Sequence, residues 1–143
     1  MSQKCSGVMT SDPTCCVPGD TVQEAARLMK SEDVGPIPVV DDREGRKLVG
    51  MITDRDIAVN VVAEGLDPKT TKVEAVMTRD LVTVGPDDDV QKAFDLMSER
   101  QVRRLPVVES DGRIVGIIAQ ADVATRLEAP RETAKVVEGI SQP

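Results

Sequence analysis

Thr53 and Asp56 are spaced so that a hydroxyl and a carboxylate share the first turn of a helix, and the apolar run Leu48 to Ile52 just before them reads as a strand. Two kinds of chemistry fit this arrangement. Thr-x-x-Asp is a capping-box pattern, in which each side chain serves the other residue's backbone N–H. The same place can also serve a ligand. Unpaired N–H groups and the positive end of the helix dipole attract anions, and the Thr53 hydroxyl can hydrogen-bond a phosphate oxygen. A carboxylate repels phosphate, so the natural partner of Asp56 is a vicinal diol, which offers it two donors. A second copy of the pattern carries Ala119 in place of the threonine but keeps Asp122. An aspartate retained without its hydroxyl partner favours duty toward a ligand or the dipole over reciprocal capping. Arg103 and Arg104 stand directly before Leu105-Pro106-Val107. Two guanidiniums at a strand entrance can clamp a phosphate chain, each shielded charge-assisted bond being worth about 1.5–3 kcal/mol. Solvation is the bland alternative, with Glu99 near enough in sequence to pair with Arg103.

Other chemistries lack their residues. The chain has no His, no GxxxxGK[ST] loop and no nucleophile beside a plausible base, so no catalytic residue is assigned and an enzyme is not expected. Cys5, Cys15 and Cys16 form an odd set without CxxC spacing. Adjacent cysteines are only about 3.8 Å apart at Cα, too close for the usual disulfide, so Cys15 and Cys16 read as small apolar fillers. No metal site is expected. With 25 acidic against 18 basic residues, a formal charge of −7 and Phe94 as the sole aromatic ring, the chain repels nucleic acid and lacks stacking platforms for bases. A local basic site for a small phosphate remains compatible with this balance. Residues 1–10 carry no signal-peptide pattern, and no run approaches the roughly 18 apolar residues of a membrane span, so a cytoplasmic location without membrane association is expected.

The elements that must hold these residues come in duplicate. Val8-Met9-Thr10 returns as Val76-Met77-Thr78, Leu28-Met29 as Leu96-Met97 and Pro38-Val39-Val40 as Pro106-Val107-Val108, all at an offset of 68 residues. After the third strand the offset falls to 66, because Asp41 to Gly45 is a longer turn than Glu109 to Gly112, and Gly50 then aligns with Gly116 and Asp56 with Asp122. In the first copy, Thr14 to Val17 is extended, and Asp20-Thr21 with Glu24 opens a helix whose face is Val22, Ala25, Ala26, Leu28 and Met29. Ile37 to Val40 and Lys47 to Thr53 read as strands, and a second helix runs from near Thr53 to Gly65, which suits a left-handed cap. Val73 to Met77 reads as a helical turn that starts the second copy, and Leu81 to Val84, Asp88 to Arg100, Leu105 to Glu109, Arg113 to Ala119 and Gln120 to Glu128 repeat the order. Arg131 to Gly139 has the pattern of a short amphipathic helix. The fold class is mixed α/β (α+β): two β-α-β-β-α repeats, 8–64 and 76–127, with terminal segments 1–7 and 128–143. At 143 residues the chain suits two lobes sharing one core, packed about a pseudo-twofold axis that leaves equivalent clefts.

The order, spacing and duplication of Val-Met-Thr, Val-x-Glu-Ala-Ala-x-x-Met, Gly-Pro-Ile-Pro-Val-Val and Gly50-Met51-Ile52-Thr53-Asp54-Arg55-Asp56-Ile57 resemble a stand-alone tandem pair of CBS domains, a Bateman module, over residues 8–127. The resemblance implies a non-catalytic regulatory module that binds an adenosine ligand between its repeats: AMP, ADP or ATP, with S-adenosylmethionine or NAD as lesser alternatives and no cofactor required. It assigns a first cleft to Met51, Thr53 and Asp56 with Leu81, Val82, Val102, Arg103, Arg104 and Pro106, where Leu81, Val82 and Val102 form an aliphatic wall for adenine. A second cleft takes Thr14, Val34, Gly35, Pro36, Pro38 and Asp122, with Arg55 as its only obvious cation. Pro36 has no N–H, Gly35 no side chain and Ala119 no hydroxyl, so weaker phosphate binding is expected there. The family further implies a homodimer through helical faces and a regulated partner protein. A ligand-independent interaction module, or a thiol-responsive protein using Cys15 or Cys16, is the alternative.

Overall fold

A computed structural model describes residues 3–126. Its elements run β1 (Thr10–Ser11), α1 (Val22–Glu32), β2 (Pro36–Val40), β3 (Leu48–Thr53), α2 (Asp54–Ile57), α3 (Val90–Arg100), β4 (Arg104–Val108), β5 (Ile114–Ala119) and α4 (Gln120–Arg126). A π-helical stretch, Ala58–Val62, continues α2, and 3₁₀ turns occupy Cys5–Gly7 and Val73–Ala75. The expected helix over Arg131 to Gly139 and the end of the last helix lie outside the described residues. The mixed α/β class is as read from the sequence.

The chain divides into two compact units. One is continuous, Thr14–Leu81; the other joins residues 3–13 to residues 82–126. The units therefore cut across the sequence repeat, because each Val-Met-Thr leader packs with the body of the other copy. The N–H of Cys5 donates to the carbonyl of Asp88 at 2.8 Å, and the N–H of its counterpart Val73 donates to the carbonyl of Asp20 at 2.8 Å. β1 pairs antiparallel with β5, Thr10 opposite Ile117, while Thr78 forms the matching antiparallel bridge with Met51. Local hydrophobic periodicity carries no record of this exchange.

Each unit then repeats one design. β2 and β3 form an antiparallel hairpin, as do β4 and β5, and both hairpins shift register at the same place, between Val39 and Val40 and between Val107 and Val108. The extended segments before the helices add single parallel bridges, Cys16 to Val39 and Val84 to Val107. α1 starts where the Thr21 hydroxyl accepts the N–H of Glu24 at 3.2 Å, and α3 where Asp89 accepts the N–H of Gln91 at 2.9 Å. Both helices bury the same stripe: Val22, Ala25 and Met29 in one, Val90, Ala93 and Met97 in the other. Both stop at a left-handed residue, Asp33 or Gln101.

The sequence-predicted cap at Gly65 is present. Gly65 has φ +70, its N–H donates to Val62 O and that of Leu66 to Val61 O, the paired bonds of a Schellman motif. The buried apolar residues include two clusters, one within each unit. Cys16, Val39, Ile52 and Val61 belong to one; Cys5, Val84, Leu105 and Ile118 belong to the other.

Candidate functional site

β3 delivers Thr53 to the N-cap of α2, and the capping box forms in full. The Thr53 hydroxyl oxygen accepts the N–H of Asp56 at 3.0 Å, and Asp56 Oδ2 accepts the N–H of Thr53 at 2.9 Å. The other first-turn donors are also occupied, since Asp54 N–H donates to Gly35 O at 3.2 Å and Arg55 N–H to Asp54 Oδ1 at 2.9 Å. The unpaired N–H groups expected to attract an anion are therefore not present at Asp54, Arg55 or Asp56. What remains for a ligand is side-chain chemistry: the hydroxyl proton of Thr53, and Asp56 Oδ1, which accepts no hydrogen bond among the described residues. Both residues are half-buried.

The second copy corrects one inference from the sequence. Asp122 has lost its threonine partner, yet its Oδ2 still accepts the N–H of Ala119 at 3.2 Å. That half of the box needs only a backbone donor, so the loss of the hydroxyl leaves it intact. Retention of Asp122 is thus explained by helix capping, and gives no separate support for a ligand.

Arg103 and Arg104 enter β4, and register places Arg104 opposite Ala119. Both arginines are exposed, and neither forms an ion pair among the described residues, with Glu99 or any other carboxylate. Behind them Val82 and Val102 are half-buried against the unit's apolar core, and Pro106 is buried opposite Ile117. Leu81 is half-buried in the other unit, with Met51, Thr53 and Asp56. Within that unit the hairpin register also brings Pro36 opposite Thr53 and Pro38 opposite Met51. Pro38 is buried and Val34 and Arg55 are exposed, while Thr14 donates its hydroxyl to Glu32 Oε1 at 2.5 Å.

Two pairs of residues that organise these strands escaped the sequence reading. A Cβ on Gly50 would lie 2.8 Å from Met77 Sδ and 3.0 Å from Thr78 O, and one on Gly116 would meet Met9 Sδ and, at 2.9 Å, Thr10 O. The leaders cross these strands at closest approach, which explains why Met-Thr and a mid-strand Gly recur together. The signal was the coincidence of the two repeats: Gly50 and Gly116 align, as do Met77 and Met9. Asp54 was also overlooked, and lies against Gly35.

Two of the three cysteines are core residues, and Cys15 is half-buried. Cys5 and Cys16 are fully buried, and each stands where the other copy has a buried valine, Val73 and Val84. Burial pushes the Cys5 thiol up to about 11 and the Cys16 thiol up to about 12, with the neighbouring Asp88 and Asp20 adding to the shift. Burial also raises Cys15, against the opposing pull of Arg46. None of the three is held as a reactive thiolate.

Comparison with known proteins fits this geometry. The family model of the CBS domain matches twice, over residues 5–63 and 73–129. The CBS domain-containing protein YhcV of Bacillus subtilis (strain 168) is 41% identical over 133 residues, covering 93% of this chain and 91% of its own length. Among solved structures, the CBS domain pair of protein MJ0100 in complex with 5-methylthioadenosine and S-adenosyl-L-methionine superposes with a TM-score of 0.75 at 28% identity, covering 87% of this chain and 95% of that one. CBSX2 in complex with AMP gives 0.72 at 28% identity, covering 85% and 93%. The chain belongs to the CBS-domain family and carries the domain as a tandem pair.

Proposed function

We propose that this CBS pair is a non-catalytic regulatory module that senses an adenine nucleotide, held jointly by residues of both repeats. The observation that carries the reading is the exposed, unpaired couple Arg103 and Arg104 on a chain of formal charge −7. Two guanidiniums without carboxylate partners among the described residues are matched to a phosphate. Asp56 Oδ1 would take the ribose diol and the Thr53 hydroxyl a phosphate oxygen. Val82, Val102 and Leu81 would cover the base, and Met51 and Pro106 would complete the site. Support for an adenosine ligand comes from MJ0100 and CBSX2, whose structures hold one. AMP, ADP and ATP come first because the paired arginines suit phosphates; S-adenosylmethionine and NAD follow. Regulation would work by linkage: the ligand shifts a conformational equilibrium by its differential affinity for the two states.

One observation favours an interaction surface as well. Val59 and Val62 are large apolar residues left exposed on the helix that follows β3, Val62 at 70%, and Leu66 is exposed just past its Gly65 cap. Such a stripe suits a homodimer contact or a regulated partner. The thiol-responsive alternative has less support at Cys16, which is fully buried where the other copy has a buried valine.

Calorimetric titration tests the reading. The chain should bind AMP, and R103A/R104A should weaken that binding about a hundredfold, two charge-assisted bonds at about 1.5 kcal/mol each. Equal affinity of the two proteins for AMP would overturn the site.

A further inference from the structure

Where both members of a repeat pair are described, positive φ follows the repeat, with one exception. Asp33 and Gln101, both at φ +55, end equivalent helices, and Arg46 at φ +56 matches Gly112 at φ +91 in equivalent turns. Asp12 has φ +50, but its counterpart Asp80 is not among the positive-φ residues. The left-handed region is costly for a residue other than glycine, and a following proline biases its neighbour toward extended backbone. Pro13 follows Asp12, where the second repeat has Leu81. Strain is therefore placed at one connection, the turn that carries the chain out of the first leader's seat and on to Thr14.

That seat lies wholly on residues 82–126. The N–H of Val90 donates to Gln3 O at 2.7 Å, and the N–H groups of Cys5 and Ser6 donate to Asp88 O at 2.8 Å and Pro86 O at 3.0 Å. Thr10 and Ser11 pair with Ile117 and Gly116, and Cys5 and Val8 are buried in that unit's cluster. None of these contacts requires leader and seat to belong to one chain. Residues 3–11 are tied to the rest of the described chain through residues 12–14 alone, whereas the second leader is continuous with both units.

We infer that residues 3–11 of one copy take the seat on residues 82–126 of a second copy, and reciprocally, so that two chains exchange leaders and Asp12 relaxes into an extended hinge. The partner is a second copy of this chain, recognised through the β5 edge and the seats of Cys5 and Val8, and the contact is separate from the exposed Val59 and Val62. An exchanged dimer keeps every leader contact of the monomer and gains the relief of two hinges. Short hinges under strain favour such an exchange. A left-handed aspartate held before proline is disfavoured about fivefold, so two hinges favour the dimer about 25-fold. Against an effective concentration of about 1 mM for a leader on its own short connection, exchange should set in at chain concentrations of about 40 µM.

The test uses the full chain in two variants, T10C and I117C, each also carrying C15S to remove the one native cysteine that is not buried. Thr10 and Ile117 stand directly opposite in an antiparallel pair, which puts their Cα atoms about 4.5–5.5 Å apart, within disulfide range. A chain carrying both T10C and I117C should therefore oxidise to a disulfide. The two single variants, mixed in urea, refolded together at about 100 µM chain and oxidised, should give a covalent heterodimer on a non-reducing gel, because neither chain alone holds both new thiols. Introducing D12G into both chains relieves the hinge and should lower that yield about fourfold, the change expected when dimerisation weakens from about 40 µM to about 1 mM. A mixture that gives no covalent heterodimer, while the doubly substituted chain oxidises, overturns the inference. A yield that D12G leaves unchanged overturns it as well. So does a doubly substituted chain that forms no disulfide, since leader and β5 would then not be paired.

Discussion

Replacing Gly50 with Ala inserts one methyl group where β3 is crossed by the leader of the second repeat. The new Cβ would stand 2.8 Å from Met77 Sδ, 3.1 Å from Met77 Cγ and 3.0 Å from Thr78 O. The Met77 thioether can swing away, but the Thr78 carbonyl cannot move alone. It accepts the N–H of Met51 at 2.9 Å, while the Thr78 N–H donates to Met51 O at 2.8 Å. Relief of the contact therefore displaces the leader and loosens two backbone hydrogen bonds. Overpacking of this sort costs about 1–3 kcal/mol, and two weakened hydrogen bonds add about 1 kcal/mol in total if each loses half its strength. Restricting the unfolded chain by Gly→Ala returns about 0.4–1 kcal/mol. The balance is a loss of about 2–3 kcal/mol, or about 6–12 °C in Tm for a chain of this size. Gly19→Ala is the matched control, because a Cβ there meets nothing within 4 Å and its φ is ordinary. Urea denaturation followed by far-UV circular dichroism reads both. A Gly50→Ala protein as stable as Gly19→Ala would refute the crossing of leader and strand as described.

Further outcomes follow from the same contacts. Deleting residues 1–11 removes buried Cys5 and Val8 and the β1 pairing from the unit built on residues 82–126; two apolar side chains at about 1.5–3 kcal/mol each predict a loss of about 3–6 kcal/mol, read as a lower urea midpoint. Thr53→Ala should cost about 1 kcal/mol through loss of the cap while leaving the Asp56-to-backbone bond, the state already seen at Ala119 and Asp122. The cysteines predict alkaline lability. Burial holds the folded thiols above the ordinary thiol range, at about 11 for Cys5 and about 12 for Cys16, so unfolded thiols ionise first. Stability should be complete below pH 9 and fall progressively as pH rises toward those values, and Cys5→Val with Cys16→Val should flatten that fall. A pH–stability profile between 8 and 11 that is the same for both proteins would contradict it.

Elements set by local rules were legible in the sequence. The Thr21 cap, the Val22-Ala25-Met29 stripe, the left-handed Gly65 and both hairpins follow from capping, periodicity and turn chemistry within a few residues. The exchange of leaders was not legible, because the segment from Cys5 to Thr10 reads locally as the start of the first copy, while Met9 meets Gly116, 107 positions on, and Cys5 bonds Asp88, 83 positions on. Each unit borrows a leader that completes its buried cluster: Cys5 and Val8 in one, Val73 and Val76 in the other. At the site, the Thr53–Asp56 pattern was legible, but its two meanings were not separable by spacing. The structure forms the cap and leaves Oδ1 open, so one side chain can serve both. Asp54 was passed over because its importance depends on which residue it lies against, and that residue, Gly35, is nineteen positions away.

The most direct test of the central claim is a crystal structure of the chain grown with AMP. The account predicts the ribose diol on the Asp56 carboxylate and the phosphate within hydrogen-bonding reach of Arg103 or Arg104, with Val82 and Val102 against the base. AMP bound on a surface that includes neither Asp56 nor the two arginines would contradict it.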